Sequence, residues 1–266
     1  MLLDRLDFSP SEDVIVFVHS PKTGGSSLAA GLEEAVGPEY HLPLRMHLMG
    51  KVRERAHHAV GATFTLGVRQ IKGSLTGRHW LVPKDFDPAR LPNVRAISGH
   101  VQLGRQPKTG RRPVYVTLVR DPIDRFVSSF YFFRSVLDAS GPKARRTVPR
   151  LLTSNIDDYV DWLAERGDPE PFNVQCLHVA GRPSFEAARK IIDRDVFLAA
   201  ALDDMDAFRA RLGAATGLAI APRREKVGSL RASAPPPRPE TIEKLKALTA
   251  EDRRLYDHIR AEFHRL

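Results

Sequence analysis

The stretch that most limits what this chain can become is Val14-Ile15-Val16-Phe17-Val18, followed at once by His19-Ser20-Pro21-Lys22-Thr23-Gly24-Gly25-Ser26-Ser27. An unbroken run of β-branched and aromatic residues has no polar face, so it predicts a strand covered on both sides, as in a parallel sheet. Ser20 to Gly25 is turn chemistry; beyond it Leu28, Leu32 and Val36 recur at helical spacing until Gly37-Pro38 stops the helix. Strand, glycine-containing turn and helix, in that order, make an anion site. The turn N–H groups and the positive end of the helix dipole converge on one point, and glycine lets the backbone approach because no Cβ intervenes. Gly24 and Gly25 supply the close approach, Lys22 a mobile positive charge, and Thr23, Ser26 and Ser27 hydroxyl donors. An ordinary strand-to-helix turn with one exposed lysine accounts for the same residues, so both readings stay open on this stretch alone. The nucleotide-hydrolase loop Gly-x-x-x-x-Gly-Lys-Ser/Thr is not met, because Lys22 precedes the glycines.

The rest of the chain supplies the sheet that such a turn needs. Residues 94–103, 114–119 and 196–200 read as further strands, and helices are expected after Asp121-Pro122, over 155–166, 184–194 and 203–212, and twice near the end. Strands alternating with helices predict an α/β fold, a parallel central sheet flanked by helices, with ligands at the carboxyl ends of the strands. At 266 residues with 42% hydrophobic content, one domain with a sizeable core is the natural size. The helix after Pro122 carries Ile123, Phe126, Val127, Phe130 and Leu137 as its apolar stripe, with Arg125, Ser128 and Arg134 turned away from it. Thr249 followed by Asp252 predicts a capping box on the last helix. Residues 167–183, including Asn173, Gln175 and Cys176, read as irregular, and 61–80 give no assignable pattern.

A formal charge of +9 favours anionic partners, among them phosphate and sulfate esters, acidic glycans, nucleic acid and lipid surfaces. The basic stretches 105–112 and 143–150 would serve such a partner, and a solvated surface explains them equally. A single cysteine, Cys176, rules out an internal disulfide. No run reaches the roughly 18 apolar residues of a membrane span, and no signal peptide is visible, so a cytoplasmic protein without a membrane span is expected. His41, His47, His57 and His58 lack the Cys, Asp or Glu partners that would complete a metal set; they read as solvated, and no metal is expected.

Residues 116–134, Val-Thr-Leu-Val-Arg-Asp-Pro-Ile-Asp-Arg-Phe-Val-Ser-Ser-Phe-Tyr-Phe-Phe-Arg, form the second candidate anion site. Arg120 ends a predicted strand and Ser128 follows two helical turns later, so a planar guanidinium and a hydroxyl can meet on one phosphate ester. An amphipathic helix with weak surface Arg–Asp pairs explains the string as well.

Together the two strings resemble the sulfotransferases that use 3′-phosphoadenosine 5′-phosphosulfate (PAPS). His-x-Pro-Lys-Thr-Gly-Gly-Ser-Ser is similar to their 5′-phosphosulfate loop, in the version found in the carbohydrate branch with the heparan sulfate 2-O- and 6-O-sulfotransferases. Arg-Asp-Pro followed by Arg-Phe and a serine pair resembles their 3′-phosphate motif, and the order along the chain is the same. The resemblance is clear over about half the chain, chiefly 14–36, 94–103 and 114–134. It implies a single sulfotransferase domain over 1–266 with a phosphate-loop-like fold, and a sulfuryl group moved from PAPS to a hydroxyl acceptor on a glycan or glycoconjugate, leaving 3′,5′-ADP. Lys22, Thr23, Gly24, Gly25, Ser26 and Ser27 would hold the 5′ end, and Arg120 and Ser128 the 3′-phosphate. A late basic loop covers the nucleotide in the family, and Lys226, Ser229 and Arg231 are its looser counterparts here. Nucleic acid is not expected as a partner.

An alcohol acceptor loses a proton during attack, and imidazole suits that task at neutral pH. His100, in Ser-Gly-His-Val after an apolar strand, resembles the Gly-His placement of the catalytic histidine in the 2-O-sulfotransferase branch; a structural histidine bonding a backbone carbonyl is the plainer account. Lys22 is expected to act with His100, on the leaving group. His19 competes with His100 for the role of base and is read as orienting the loop. Two other classes stay open: a phosphate-loop kinase or nucleotide hydrolase, which needs a lysine after the glycines and a magnesium-binding acid, and a non-enzymatic basic polyanion-binding module.

Overall fold

The computed structural model describes Met1 and residues 7–44, 46–47, 68–72, 79–83, 86–139, 151, 154–222 and 234–266. Lys226, Ser229 and Arg231, His57 and His58, and the basic stretch 143–150 lie outside the described residues.

Eight strands and eight helices are used below, labelled in chain order. They are β1 (Asp13–His19), α1 (Gly25–Val36), β2 (His41–Leu44), β3 (Met46–His47), β4 (Val68–Lys72), β5 (His79–Pro83), β6 (Ala96–Gly99), β7 (Arg112–Val119), α2 (Pro122–Ala139), α3 (Ile156–Glu165), α4 (Val174–Ala180), α5 (Phe185–Asp195), β8 (Val196–Ala201), α6 (Met205–Thr216), α7 (Pro239–Leu248) and α8 (Ala250–Arg265). Five strands form one sheet in the order β2-β6-β1-β7-β8, and every pair in it is parallel. The stretch 61–80, unassignable from sequence, contains β4 and the start of β5; with β3 they form a separate antiparallel sheet in the order β3-β5-β4.

β1 is the central strand, and its side chains feed two cores. Ile15 and Phe17 pack with Leu28 and Leu32 of α1, Phe208 and Leu212 of α6 and Phe263 of α8. Val14, Val16 and Val18 face the other way, against Leu42, Phe86, Val94, Ile97 and Val101. That is why the run has no polar alternation: each of these side chains is fully buried, and burial of each contributes about 1.5–3 kcal/mol. At the opposite end of the sheet from the glycine turn, buried Asp13 is gripped by Arg112 through Nε at 2.6 Å and Nη2 at 2.8 Å, tying the starts of β1 and β7 together.

Register fixes where the loops emerge. Val18 pairs with Gly99 and His19 with Leu118, so β6, β1 and β7 end at the same level. The residues after them, His100, Ser20 to Gly24 and Arg120, therefore share one edge of the sheet.

Three local expectations are corrected. Residues 174–180 are helical, a helix too short to show a sequence period. Thr249 makes no side-chain cap on α8: its hydroxyl donates to the Leu245 carbonyl at 2.7 Å, and Asp252 caps a different helix, accepting the N–H groups of Gln175 and Cys176 at 3.0 and 2.8 Å. His41 is not solvated; it is 3% exposed, with Nε2 2.8 Å from the Ser98 hydroxyl.

Candidate functional site

The turn between β1 and α1 is built to leave donors open. Gly24 occupies the cap position with φ 76°, and α1 has neither a capping side chain nor an acidic residue in its first turn. Its first N–H groups are thus the orphan donors of a helix start. A Cβ on Gly24 would come within 2.3 Å of Leu202 Cδ1, and one on Gly25 within 2.0 Å of the His19 ring, so neither position accepts a side chain without movement. Lys22 itself lies in the left-handed region at φ 69°, a conformation that costs a non-glycine residue about 1–2 kcal/mol. Two bonds hold it there: the buried Thr23 hydroxyl donates to the Ser20 carbonyl at 2.9 Å, and Arg120 Nη1 donates to the Lys22 carbonyl at 3.4 Å. The Thr23 hydroxyl is thus engaged inside the turn, and the residue is fully buried. Ser26 is exposed and Ser27 half-buried at the helix start. Ser20, which the sequence reading did not single out, has a buried hydroxyl with no partner among the described residues.

The contact between Arg120 and the Lys22 carbonyl brings the two candidate anion loops together. Arg120 Nη2 also reaches Asp124 Oδ2 at 3.3 Å, and Lys22 Nζ lies 4.0 Å from the centroid of the Phe132 ring. Asp124, Ser128 and Phe132 are four residues apart in turn, which places them on one face of α2. Ser128 therefore sits on α2 between the points reached by Arg120 and by Lys22.

His100 lies on the other flank. Its Nδ1 is 2.9 Å from the His19 carbonyl, and because a carbonyl only accepts, Nδ1 carries the proton and Nε2 the lone pair in the neutral ring. The His19 and His100 rings are 4.4 Å apart between centroids, and His178 of α4 meets His100 edge-on at 6.4 Å. Burial pushes the His100 imidazole below its usual 6.5, helped by the Lys22 charge and opposed by the bond to the His19 carbonyl. Burial pushes His19 further down, with His100, His178 and Lys22 adding to it. Among the described residues no group of three or more His, Cys, Asp or Glu side chains is disposed to hold a metal ion.

Behind Arg120 lies a buried layer that sequence reasoning missed. Arg125 does not point to solvent; it is 2% exposed and donates to the carbonyls of Pro171 at 3.1 Å and Phe172 at 3.4 Å. Gln175, 1% exposed, bonds the peptide of Arg120. Sequence alone puts Gln175 in an irregular stretch and turns Arg125 away from the apolar stripe, because polar residues read as surface until the fold buries them.

The basic stretch 105–112 is partly structural. Arg111 donates to the carbonyls of Pro92, Pro10 and Ser11, and Arg112 holds Asp13. Among the described residues no helix is long and apolar enough to cross a membrane.

No protein-family model and no curated protein matches the chain. Among solved structures it is similar to the mouse sulfotransferase SULT7A1 complexed with PAP, at 16% identity and a TM-score of 0.33, covering 100% of this chain and 92% of that one. A likeness that distant carries no argument about chemistry, which has to come from the site itself.

Proposed function

We propose that the chain is a PAPS-dependent sulfotransferase whose site lies at the carboxyl edge of β6, β1 and β7, within one domain spanning residues 1–266. One observation carries this reading: Arg120 reaches the carbonyl of Lys22, so a nucleotide with a phosphate group at each end can touch both loops at once. The site fits such a ligand on its own terms. It has uncapped helix N–H groups, two glycines whose Cβ positions are filled by neighbours, and a buried hydroxyl at Ser20 with no partner among the described residues.

PAPS, when bound, supplies the sulfuryl group. The turn N–H groups, with Ser26 and Ser27, hold its 5′ end, and Arg120 with Ser128 holds the 3′-phosphate. Lys22 sets a positive charge beside the 5′ end, where it offsets negative charge that grows on the leaving side; that charge is worth more in a dry site than in water. His100 accepts the acceptor's proton at Nε2, the nitrogen left open by the bond to His19. The acceptor is a hydroxyl of a glycan or glycoconjugate. Lys226, Ser229 and Arg231 are assigned to the same nucleotide as further contacts by the resemblance alone.

The test is incubation with sulfur-labelled PAPS and a panel of glycans, lipids and phenols. Label is expected on a glycan hydroxyl, with 3′,5′-ADP released. Lys22→Ala should depress turnover more than nucleotide binding, because its charge acts chiefly as the bond to sulfur breaks. A wild-type protein that binds no 3′,5′-ADP and labels nothing in the panel would end the proposal.

A further inference from the structure

The peptide of Arg120 lies between the end of β7 and the start of α2, outside the hydrogen-bonding pattern of either element. One side chain satisfies both its polar groups: the Arg120 N–H donates to Gln175 Oε1 at 2.7 Å, and Gln175 Nε2 donates to the Arg120 carbonyl at 2.9 Å. A glutamate would match only the first of these bonds, and an apolar side chain neither.

Gln175 is itself held from behind. Its N–H and that of Cys176 are capped by the fully buried carboxylate of Asp252, whose own N–H donates to Asn173 Oδ1 at 3.0 Å. Arg125 Nε stands 3.9 Å from the same carboxylate, and its Nη atoms reach the Ser129 hydroxyl at 3.4 Å and the carbonyls of Pro171 and Phe172, the residues leading into α4. The contacts run from Arg120 through Gln175 and Asp252 to Arg125, and Arg125 is joined back to Arg120 by the chain itself at the start of α2, where its N–H donates to the Asp121 carbonyl at 2.8 Å. Arg125 and Ser128 share α2, so this path ties the backbone of Arg120 to the helix that carries Ser128. Arg125 Nε has no hydrogen-bond partner among the described residues, but the Gln175 amide and the Asp252 carboxylate are each bonded through both ends, and displacing either leaves desolvated groups unpaired.

We propose that Gln175 is a positioning residue that sets how Arg120 meets a terminal phosphate, so that preference for 3′-phosphorylated adenosine nucleotides depends on a side chain that never touches the ligand. This rests on the reading of Arg120 as the 3′-phosphate contact. Titration calorimetry with 3′,5′-ADP and 5′-AMP tests it on the wild type, Arg120→Ala, Gln175→Leu and Gln175→Glu. The fitted stoichiometry counts folded protein, so the ratio of the two affinities is independent of any loss of stability.

The wild type should prefer 3′,5′-ADP, and Arg120→Ala should lose that preference. Gln175→Leu should lower it by about tenfold or more, the size of one charge-assisted hydrogen bond, with 5′-AMP affinity unchanged. Gln175→Glu should fall between. If Gln175→Leu keeps the wild-type ratio while Arg120→Ala loses it, the positioning role is overturned and the phosphate reading stands. Equal loss of both ligands in Gln175→Leu marks a general structural role and also overturns it. If Gln175→Leu does not fold, Gln175→Glu decides: a reduced ratio supports the role, a wild-type ratio removes it. A wild type without preference for 3′,5′-ADP brings down both readings.

Discussion

At the scale of single residues, His100 shows how one backbone bond fixes the tautomer that its proposed role as base requires. The plain account of this residue, a strand-end imidazole bonding a carbonyl, describes a real contact, yet the contact engages only Nδ1. Burial holds the ring below its usual 6.5, which favours the neutral form with the lone pair on Nε2 at neutral pH. His100→Ala should therefore lower kcat by about two orders of magnitude while 3′,5′-ADP binding persists. The acid limb of kcat/KM should lie below pH 6.5, and in Lys22→Met it should move up, since the lysine charge helps depress the ring. A limb that ignores the loss of Lys22 would separate the two residues. The positions of Lys22, Arg120 and His100 just beyond strand ends were legible in the sequence because each follows an apolar run within a few residues. Gln175, Asp252 and Arg125 were not, because a polar side chain reads as surface until tertiary packing encloses it.

Among the elements, β1, its turn and α1 are the unit most plainly written in the chain, since apolar run, glycine pair and helical spacing all agree. Helix α4 was hidden because it is too short to show a period and because Asp252 caps it across space, which also leaves α8 without the cap its sequence suggests. The coupling inside the turn can be tested directly. The His19 ring occupies the space where a Cβ on Gly25 would go. Gly25→Ala should cost about 1–3 kcal/mol by overpacking. Combined with His19→Ala, which opens that space, it should cost measurably less than the two single changes added together. Strict additivity in denaturation midpoints would mean that the ring and the glycine are not in contact.

For the whole molecule, the parallel order β2-β6-β1-β7-β8 decides which distant residues meet, and a single sequence does not state strand order. The topology sets imidazoles and a lysine at one end of the central strand and the Asp13–Arg112 pair at the other, so the two ends respond to acid in different ranges. His19 and His100 are both depressed below 6.5; above that pH they are neutral whether folded or unfolded and contribute nothing. As pH falls below 6.5 the unfolded chain takes up protons that the folded chain refuses, so stability is lost. Asp13 behaves separately: burial alone would raise its carboxyl, but Arg112 and the Ser9 N–H outweigh it and hold it below 3.8. Its contribution is present above 3.8 and disappears as pH drops through the lowered value. His19→Phe, which keeps a ring beside Phe17 but cannot protonate, should therefore lose less stability than the wild type between about pH 7.5 and about pH 5. Asp13→Asn should leave that interval unchanged and flatten the curve only at lower pH. Urea denaturation across the range reads both, and parallel wild-type and His19→Phe curves would mean that the histidine end of the sheet carries no proton-linked penalty.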